Sequence, residues 1–239
     1  VDTIGRMASD GIQNALAFVT SAYSSFSSCR QYLQNIADAR AEVGPTAPPV
    51  EKLRAFHNHP LFIEANADHI RSALNQLDDA AHLVFTAHSI PESMAANCDY
   101  AAQLGDTASL IAQALTVENW QLVYQSRSGS PSQPWLGPDV SDHLRGLSAR
   151  GVTKVVVAPI GFVSDHMEIV YDLDIEAQKV AKELGLQMLR ARTAGTHPAF
   201  AKMIRELILE RIDNQTPRFV GSLGARPSIC PSDCCMVAR

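Results

Sequence analysis

The chain has no excess of positive charge: 20 Lys and Arg stand against 25 Asp and Glu, for a formal net charge of −5. A nucleic-acid partner is therefore not expected, because phosphate backbones are met by clustered basic surface. No apolar run reaches the roughly 20 residues that a membrane-spanning helix needs. No secretory leader precedes the first helical pattern either. These absences point to the cytoplasm and leave only peripheral contact with a membrane open. An initiating methionine is also missing. The chain opens on Val1, and VDTIGRMASDGI reads as a helix already under way, so an incomplete terminus is favoured over a processed one. What is present is 239 residues, 46% hydrophobic and 19% charged, enough for one large or two small domains with a real core.

Cysteines are few, and their placement matters more than their number. Cys29 and Cys98 stand alone, whereas Cys230, Cys234 and Cys235 crowd the last ten residues. In a chain expected to be cytoplasmic, such a cluster suggests a metal or an iron–sulfur centre more than disulfides.

Short β-rich runs alternate with amphipathic helical spacing. Strands are expected at 15–20, 82–87, 120–126, 152–160 and 186–192. Helices are expected at 30–42, 60–78, 99–116, 139–149, 166–184 and 197–212, with Pro60 opening the second of them. This βαβα order predicts an α/β fold with parallel sheets flanked by helices. A boundary is expected near residue 80, separating the remainder of a first domain (1–80) from a nearly complete second one (81–216). From Pro217 the chain gains Gly, Pro, Ser and Cys and loses periodicity, so 217–239 reads as a tail held by something other than a core.

In open α/β sheets ligands sit at the carboxyl ends of the strands, and three segments there carry chemistry. FTAHSIPES (85–93) sets His88 just past a strand, and imidazole can both ligate a metal and carry a proton near neutral pH. Alone, a strand-end histidine is more often structural or merely exposed. PIGFVSDHMEIVYDLDIE (159–176) follows the VVVA strand and places Glu168, Asp172 and Glu176 four apart, one acidic line on a helix. Such a line is more often a solvated face, although here it follows a buried strand. Ser164 or Asp165 is the expected helix cap. YQSRSGSPSQPWLGPDV (124–140) suggests a rigid, partly aromatic wall around Trp135; a turn-rich connection with a packed tryptophan is as good a reading.

In order and spacing these segments together resemble the ferrochelatase family, and TSAYSSFSSCRQYLQNI (20–36) resembles its cleft-lining segment, especially in actinobacterial members. The likeness runs over essentially the whole chain; the family's N-terminal segment, one lip of the porphyrin cleft, has no counterpart. The resemblance implies two Rossmann-like, chelatase-type domains, the first incomplete, and insertion of Fe²⁺ into a porphyrin in haem biosynthesis. It implies His88 and Glu168 as catalytic and metal-binding groups, on opposite sides of a cleft, with Asp172 and Glu176 continuing a path for hydrated iron. π-type geometry is implied for the acidic helix. Asp165 and His166 would orient the pair, while Tyr32, Ser25 and Trp135 would line the porphyrin site. It further implies a [2Fe–2S] cluster on Cys29, Cys230, Cys234 and Cys235, with Cys98 as a substitute ligand because two cysteines are adjacent. The actinobacterial flavour favours coproporphyrin III over protoporphyrin IX. The alternatives are a cobalt- or nickel-inserting chelatase of the same architecture and a non-catalytic haem- or porphyrin-binding protein. Oligomeric state is left open.

Overall fold

A computed structural model of the chain describes residues 1–77, 81–130, 132–231 and 233–236. Its first half contains α1 (Asp2–Ser9), β1 (Ala15–Ala17), a π-turn (Phe26–Arg30) running into α2 (Gln31–Val43), β2 (Val50–Lys52) and α3 (Pro60–Leu77). β3 (His82–His88), α4 (Glu92–Ala95), α5 (Tyr100–Leu115), β4 (Trp120–Gln125) and α6 (Val140–Ala149) follow. The chain continues through β5 (Lys154–Ala158), α7 (Met167–Ile169), a π-helix (Val170–Ala177), α8 (Gln178–Glu183), β6 (Gln187–Arg190) and α9 (Pro198–Ile212). The expected alternation of helices and parallel strands is present. β2, α4 and the π-turn were not expected, each being too short to show a period. The strand expected over 15–20 narrows to three residues. The expected helix end at 78 and the boundary near 80 lie outside the described residues, as do Pro131 of the tryptophan motif and Ser232 and 237–239 of the tail.

β1 and β2 pair in parallel, and a second parallel sheet runs β4–β3–β5–β6. Alternation along the strands sorts its two faces. Leu83, Phe85, Ala87 and Ala158 join the core under α3, α5 and α9. Val84, Val155, Val157 and Met188 pack with Leu144 and Leu147 of α6 and with Leu173 of the π-helix. Helix α3, although it precedes the second sheet in sequence, packs on β5 and β6 as well as on α5 and α9. The chain steps outward from β3 to β4 and then returns to lay β5 on the other side of β3. The resulting switch point between β3 and β5 is where ligands bind in open sheets of this kind.

Just before α3, the segment Arg54–His59 is buried and polar. Arg54 forks onto Glu210 of α9 at 2.6 and 2.9 Å and also donates to the Arg218 carbonyl. Val220 N–H donates to the Asn58 carbonyl and Asn58 Nδ2 to the Gly224 carbonyl, so the tail is laid along this segment. His57 and His59 are fully buried. Burial, reinforced by Arg226 and Arg54, pulls His57 down to about 4; burial with Arg54 and Arg218 pulls His59 down to about 3. The facing carboxylates, Asp106 at 3.8 Å and Glu206 at 3.4 Å, do not reverse this.

Both histidines are thus neutral when folded and take up protons on unfolding below their ordinary value of 6.5. Their contribution to stability is complete above pH 6.5 and is lost as pH falls toward 4. Urea midpoints should fall steadily across that window, and His57→Leu should make the fall shallower. An unchanged slope in that variant would show that His57 does not titrate there.

Candidate active site

Beyond β5 the backbone crosses the end of β3 at Gly161, whose N–H donates to the Thr86 carbonyl at 3.0 Å. A β-carbon at Gly161 would lie 2.5 Å from both Cα and Cβ of Ala87, a separation that real contacts do not reach. Only glycine lets the two segments approach this closely. Ala87 precedes His88, and Gly161 leads into the segment that carries Glu168. In consequence His88 Nε2 and Glu168 Oε1 stand 3.6 Å apart. The expectation that these groups face each other across a cleft is therefore corrected: they share one wall, because β3 and β5 are adjacent strands.

His88 Nδ1 makes a short contact with the Ser89 carbonyl oxygen. A carbonyl only accepts, so Nδ1 carries a hydrogen, and Nε2 is the ring nitrogen that faces the carboxylate. Glu168 Oε1 is itself buried and lacks a hydrogen-bond partner. The ring nitrogen and the carboxylate oxygen thus stand at ion-pair distance, an arrangement that can hold a proton or take up a metal cation. The frame behind them is rigid. Tyr100 Oη donates to the His88 carbonyl at 2.9 Å, Ser89 Oγ to the Leu136 carbonyl at 2.7 Å and Tyr23 Oη to the Ile160 carbonyl at 2.9 Å. Burial pushes both tyrosines upward, which keeps them protonated donors. Neither tyrosine was singled out in the sequence, since their partners lie 12 and 137 residues away.

A cavity of about 250 Å³ opens beside His88, lined by Ser25, Ser28, Pro91, Met94, Tyr100 and Trp135 among others. Ser25 caps the π-turn reciprocally with Ser28. Trp135 is fixed by a bridge to Pro91, by Leu136 N–H donating to the Ile90 carbonyl, and by close packing on Gly129. Ser25 and Trp135 both line this cavity. Tyr32, in the first turn of α2, is 47% exposed and does not line it.

The acidic segment winds as a π-helix from Val170 to Ala177. A π-helix turns less per residue than an α-helix, so positions four apart, which drift at 3.6 residues per turn, stay in line. Ile169, Leu173, Ala177 and Ala181 are accordingly all completely buried. Glu168, Asp172 and Glu176 form the adjacent line, and Met167, Tyr171 and Ile175 form an exposed apolar line beyond it. Asp172 accepts from Gln125 Nε2 at 3.3 Å and makes a short contact with Ser126 Oγ, tying the π-helix to the end of β4. Asp165 and Asp174 both pair with Arg190. Neither Ser164 nor Asp165 caps the helix: the N-cap residue is His166, which makes no side-chain cap bond. Its exposed ring packs on Phe162 with centroids 5.2 Å apart. Among the described residues, no group of three or more His, Cys, Asp or Glu side chains is arranged to hold a metal ion, so His88, Glu168, Asp172 and Glu176 do not form one ligand set.

The family model for ferrochelatase matches residues 1–212. A ferrochelatase from Rhodopirellula baltica is 49% identical over 98% of this chain and 68% of its own length. Coproporphyrin III ferrochelatases from Nocardia farcinica and Streptomyces coelicolor are 47% and 46% identical, over 100% and 98% of this chain and 72% and 70% of theirs. The chain belongs to the ferrochelatase family. It is accordingly a porphyrin metal chelatase, a lyase that inserts ferrous iron in haem biosynthesis. The solved structure of SirB from Bacillus subtilis with Fe3+ aligns with a TM-score of 0.61 over 87% of this chain and 77% of that one; at 12% identity the likeness is one of fold, a chelatase fold. No helix among the described residues is long and apolar enough to cross a membrane.

At the π-turn, thiols from three parts of the chain converge. Cys29 is buried and pulled down to about 6, chiefly by a hydrogen bond with Cys230, with Lys52 and Arg226 opposing the effect of burial. Cys234 and Cys235 have sulfurs 3.5 Å apart, and burial pushes Cys235 upward. Cys98, also pushed up by burial, lies within electrostatic reach of Cys234. Soft sulfur donors beside two cations suit an anionic thiolate-ligated centre, although the side chains are not disposed around a single ion.

Gly161→Ala should destabilise the fold by about 1–3 kcal/mol and lower metallation, because relief of the clash moves His88 or the Glu168 segment. Urea unfolding and an anaerobic metallation assay test this. An unchanged midpoint would contradict the close approach described above.

Proposed function

We propose that the chain inserts Fe²⁺ into coproporphyrin III, with His88 and Glu168 as the catalytic pair. The observation that carries this reading is the His88 ring nitrogen 3.6 Å from the Glu168 carboxylate at the switch point, the carboxylate oxygen being buried and without a hydrogen-bond partner. A porphyrin must lose two pyrrole protons as iron enters. In its neutral form His88 accepts one of these protons at Nε2, Glu168 stabilises the imidazolium that results, and the second proton passes to solvent. Because both groups share one wall, they act on one face of the ring. The line Glu168–Asp172–Glu176 offers hard oxygen donors to a hydrated divalent cation along that wall, with Asp172 anchored to β4. Ser25 and Trp135 border the ring site, and His166 steadies the start of the acidic segment against Phe162. The choice of coproporphyrin III is supported by the names of two relatives and by the SSCRQY segment. The reading places the site between a first unit (1–80) and a second (81–216), in a cytoplasmic enzyme.

A [2Fe–2S] cluster on Cys29, Cys230, Cys234 and Cys235, with Cys98 in reserve, belongs to the same proposal. Its support is the convergence of these thiols, with Lys52 and Arg226 beside Cys29. Bound there, the cluster would supply a redox-active cross-link between the tail and the π-turn. Cys29→Ser should abolish its visible absorption in anaerobically purified protein and lower the melting temperature. An iron-containing variant with an unaltered spectrum would remove Cys29 from the ligand set.

Anaerobic incubation with Fe²⁺ and either porphyrin tests the catalytic reading. His88→Ala and Glu168→Gln should each lower kcat by about 100-fold or more, while porphyrin binding, followed by fluorescence, persists. Coproporphyrin III should be metallated faster than protoporphyrin IX. Unchanged rates in both variants would overturn the pair, and a preference for protoporphyrin IX would overturn the substrate.

A further inference from the structure

Arg190 is the last residue of β6 and is held in the sheet opposite Val157, with Ala191 N–H donating to the Val157 carbonyl at 2.8 Å. Its guanidinium reaches out of that frame to two carboxylates. Nε and Nη2 fork onto Asp174 at 2.5 and 3.0 Å, and Nη1 reaches Asp165 at 3.1 Å. Asp165 lies just before α7 and Asp174 in the π-helix, so one rigid fork grips the acidic segment on both sides of Glu168. A second tie, Gly195 N–H to the Val163 carbonyl at 2.7 Å, holds the same loop from the chain beyond β6. The buried line Ile169–Leu173–Ala177 fixes the depth of the segment on the sheet. Depth alone does not fix its slide along the sheet or its rotation, and those are what the fork restrains.

We propose that Arg190 is a positioning residue for metal insertion, which sets the place of Glu168 against His88 by bridging Asp165 to Asp174. This rests on the reading of His88 and Glu168 as the catalytic pair. It also gives the acids of this segment separate roles: Asp165 and Asp174 are engaged by Arg190, which offsets one of their two charges, and Glu168, Asp172 and Glu176 remain for the cation. The carboxylates are about one-third exposed and the guanidinium 16%, so solvent screening keeps the contribution of this bidentate network to stability modest. Rates, in contrast, are sensitive to displacements of about 1 Å in a reacting group. The effect of Arg190 should therefore appear in turnover more than in melting temperature. Lysine cannot replace it, since a single ammonium lacks the planar fork that spans two carboxylates.

The experiment is a double-mutant cycle on the full chain, with Fe²⁺ and coproporphyrin III under anaerobic conditions. Arg190→Met should lower kcat by about 10- to 100-fold, with KM for the porphyrin within about twofold of the parent and only a small change in melting temperature. Arg190→Lys should recover only part of the loss. On a Glu168→Gln background the same Arg190→Met change should cost less than about twofold, because its effect passes through Glu168. Should Arg190→Met fail to fold, Asp174→Asn, which keeps the Asp165 bridge, carries the same cycle with a smaller loss. Equal losses on both backgrounds, or a kcat unmoved by Arg190→Met, would overturn the role of Arg190 and leave the pair intact. A rate unmoved by Glu168→Gln alone would instead overturn the pair, and this inference with it.

Discussion

At Gly161 the backbone leaving β5 passes close enough to β3 that a single added carbon would collide with Ala87. This contact brings the residue after Ala87 and the segment after Gly161 together, and the chemistry follows from it. Adjacent parallel strands end side by side, so His88 and Glu168 come to share a wall. Tyr100, Ser89 and Tyr23 then lock the backbone on each side with buried or half-buried hydrogen bonds. The result is an imidazole nitrogen and a carboxylate oxygen held facing each other 3.6 Å apart, a place for a proton or a cation.

The π-helix makes the second half of the site possible. An α-helix would carry a period-four sequence gradually around its axis, burying some of the acids and exposing part of the apolar line. The wider winding keeps Ile169, Leu173 and Ala177 down on the sheet and lets Glu168, Asp172 and Glu176 run straight beside them. Asp172 is then held by Gln125 and Ser126 from β4, and Asp174 by Arg190 from β6. The acidic segment is thus braced from both outer strands of the sheet.

The tail has a different logic. Residues 217–226 have neither helix nor strand, yet they are laid along the buried Arg54–His59 segment by Arg54, Asn58 and Asp99. That path delivers the terminal thiols to Cys29, in the same π-turn whose Ser25 cap and Ser28 line the cavity. Neutral buried histidines beneath the tail make this anchoring sensitive to acid.

Much was legible from residues alone. The β-rich runs that became β3, β4, β5 and β6, and the helices between them, followed from periodicity, because local spacing decides which face of an element is buried. His88, Glu168 and the acidic line were visible because they sit at strand ends in a chemically unusual order. Other features were not legible. β2 is three residues long, and the roles of Tyr100, Gly161 and Arg190 depend on partners far away in the chain. The expected opposition of His88 and Glu168 failed for the same reason: sequence places each group at the end of a strand but does not say which strands are neighbours. The sequence by itself determined the elements, the donor types and the period-four pattern, since these are local properties of the chain. Only the tertiary structure decided that β5 returns beside β3, that Asp165 turns to Arg190 rather than to the helix it precedes, and that thiols from three segments meet, because each is settled by long-range packing.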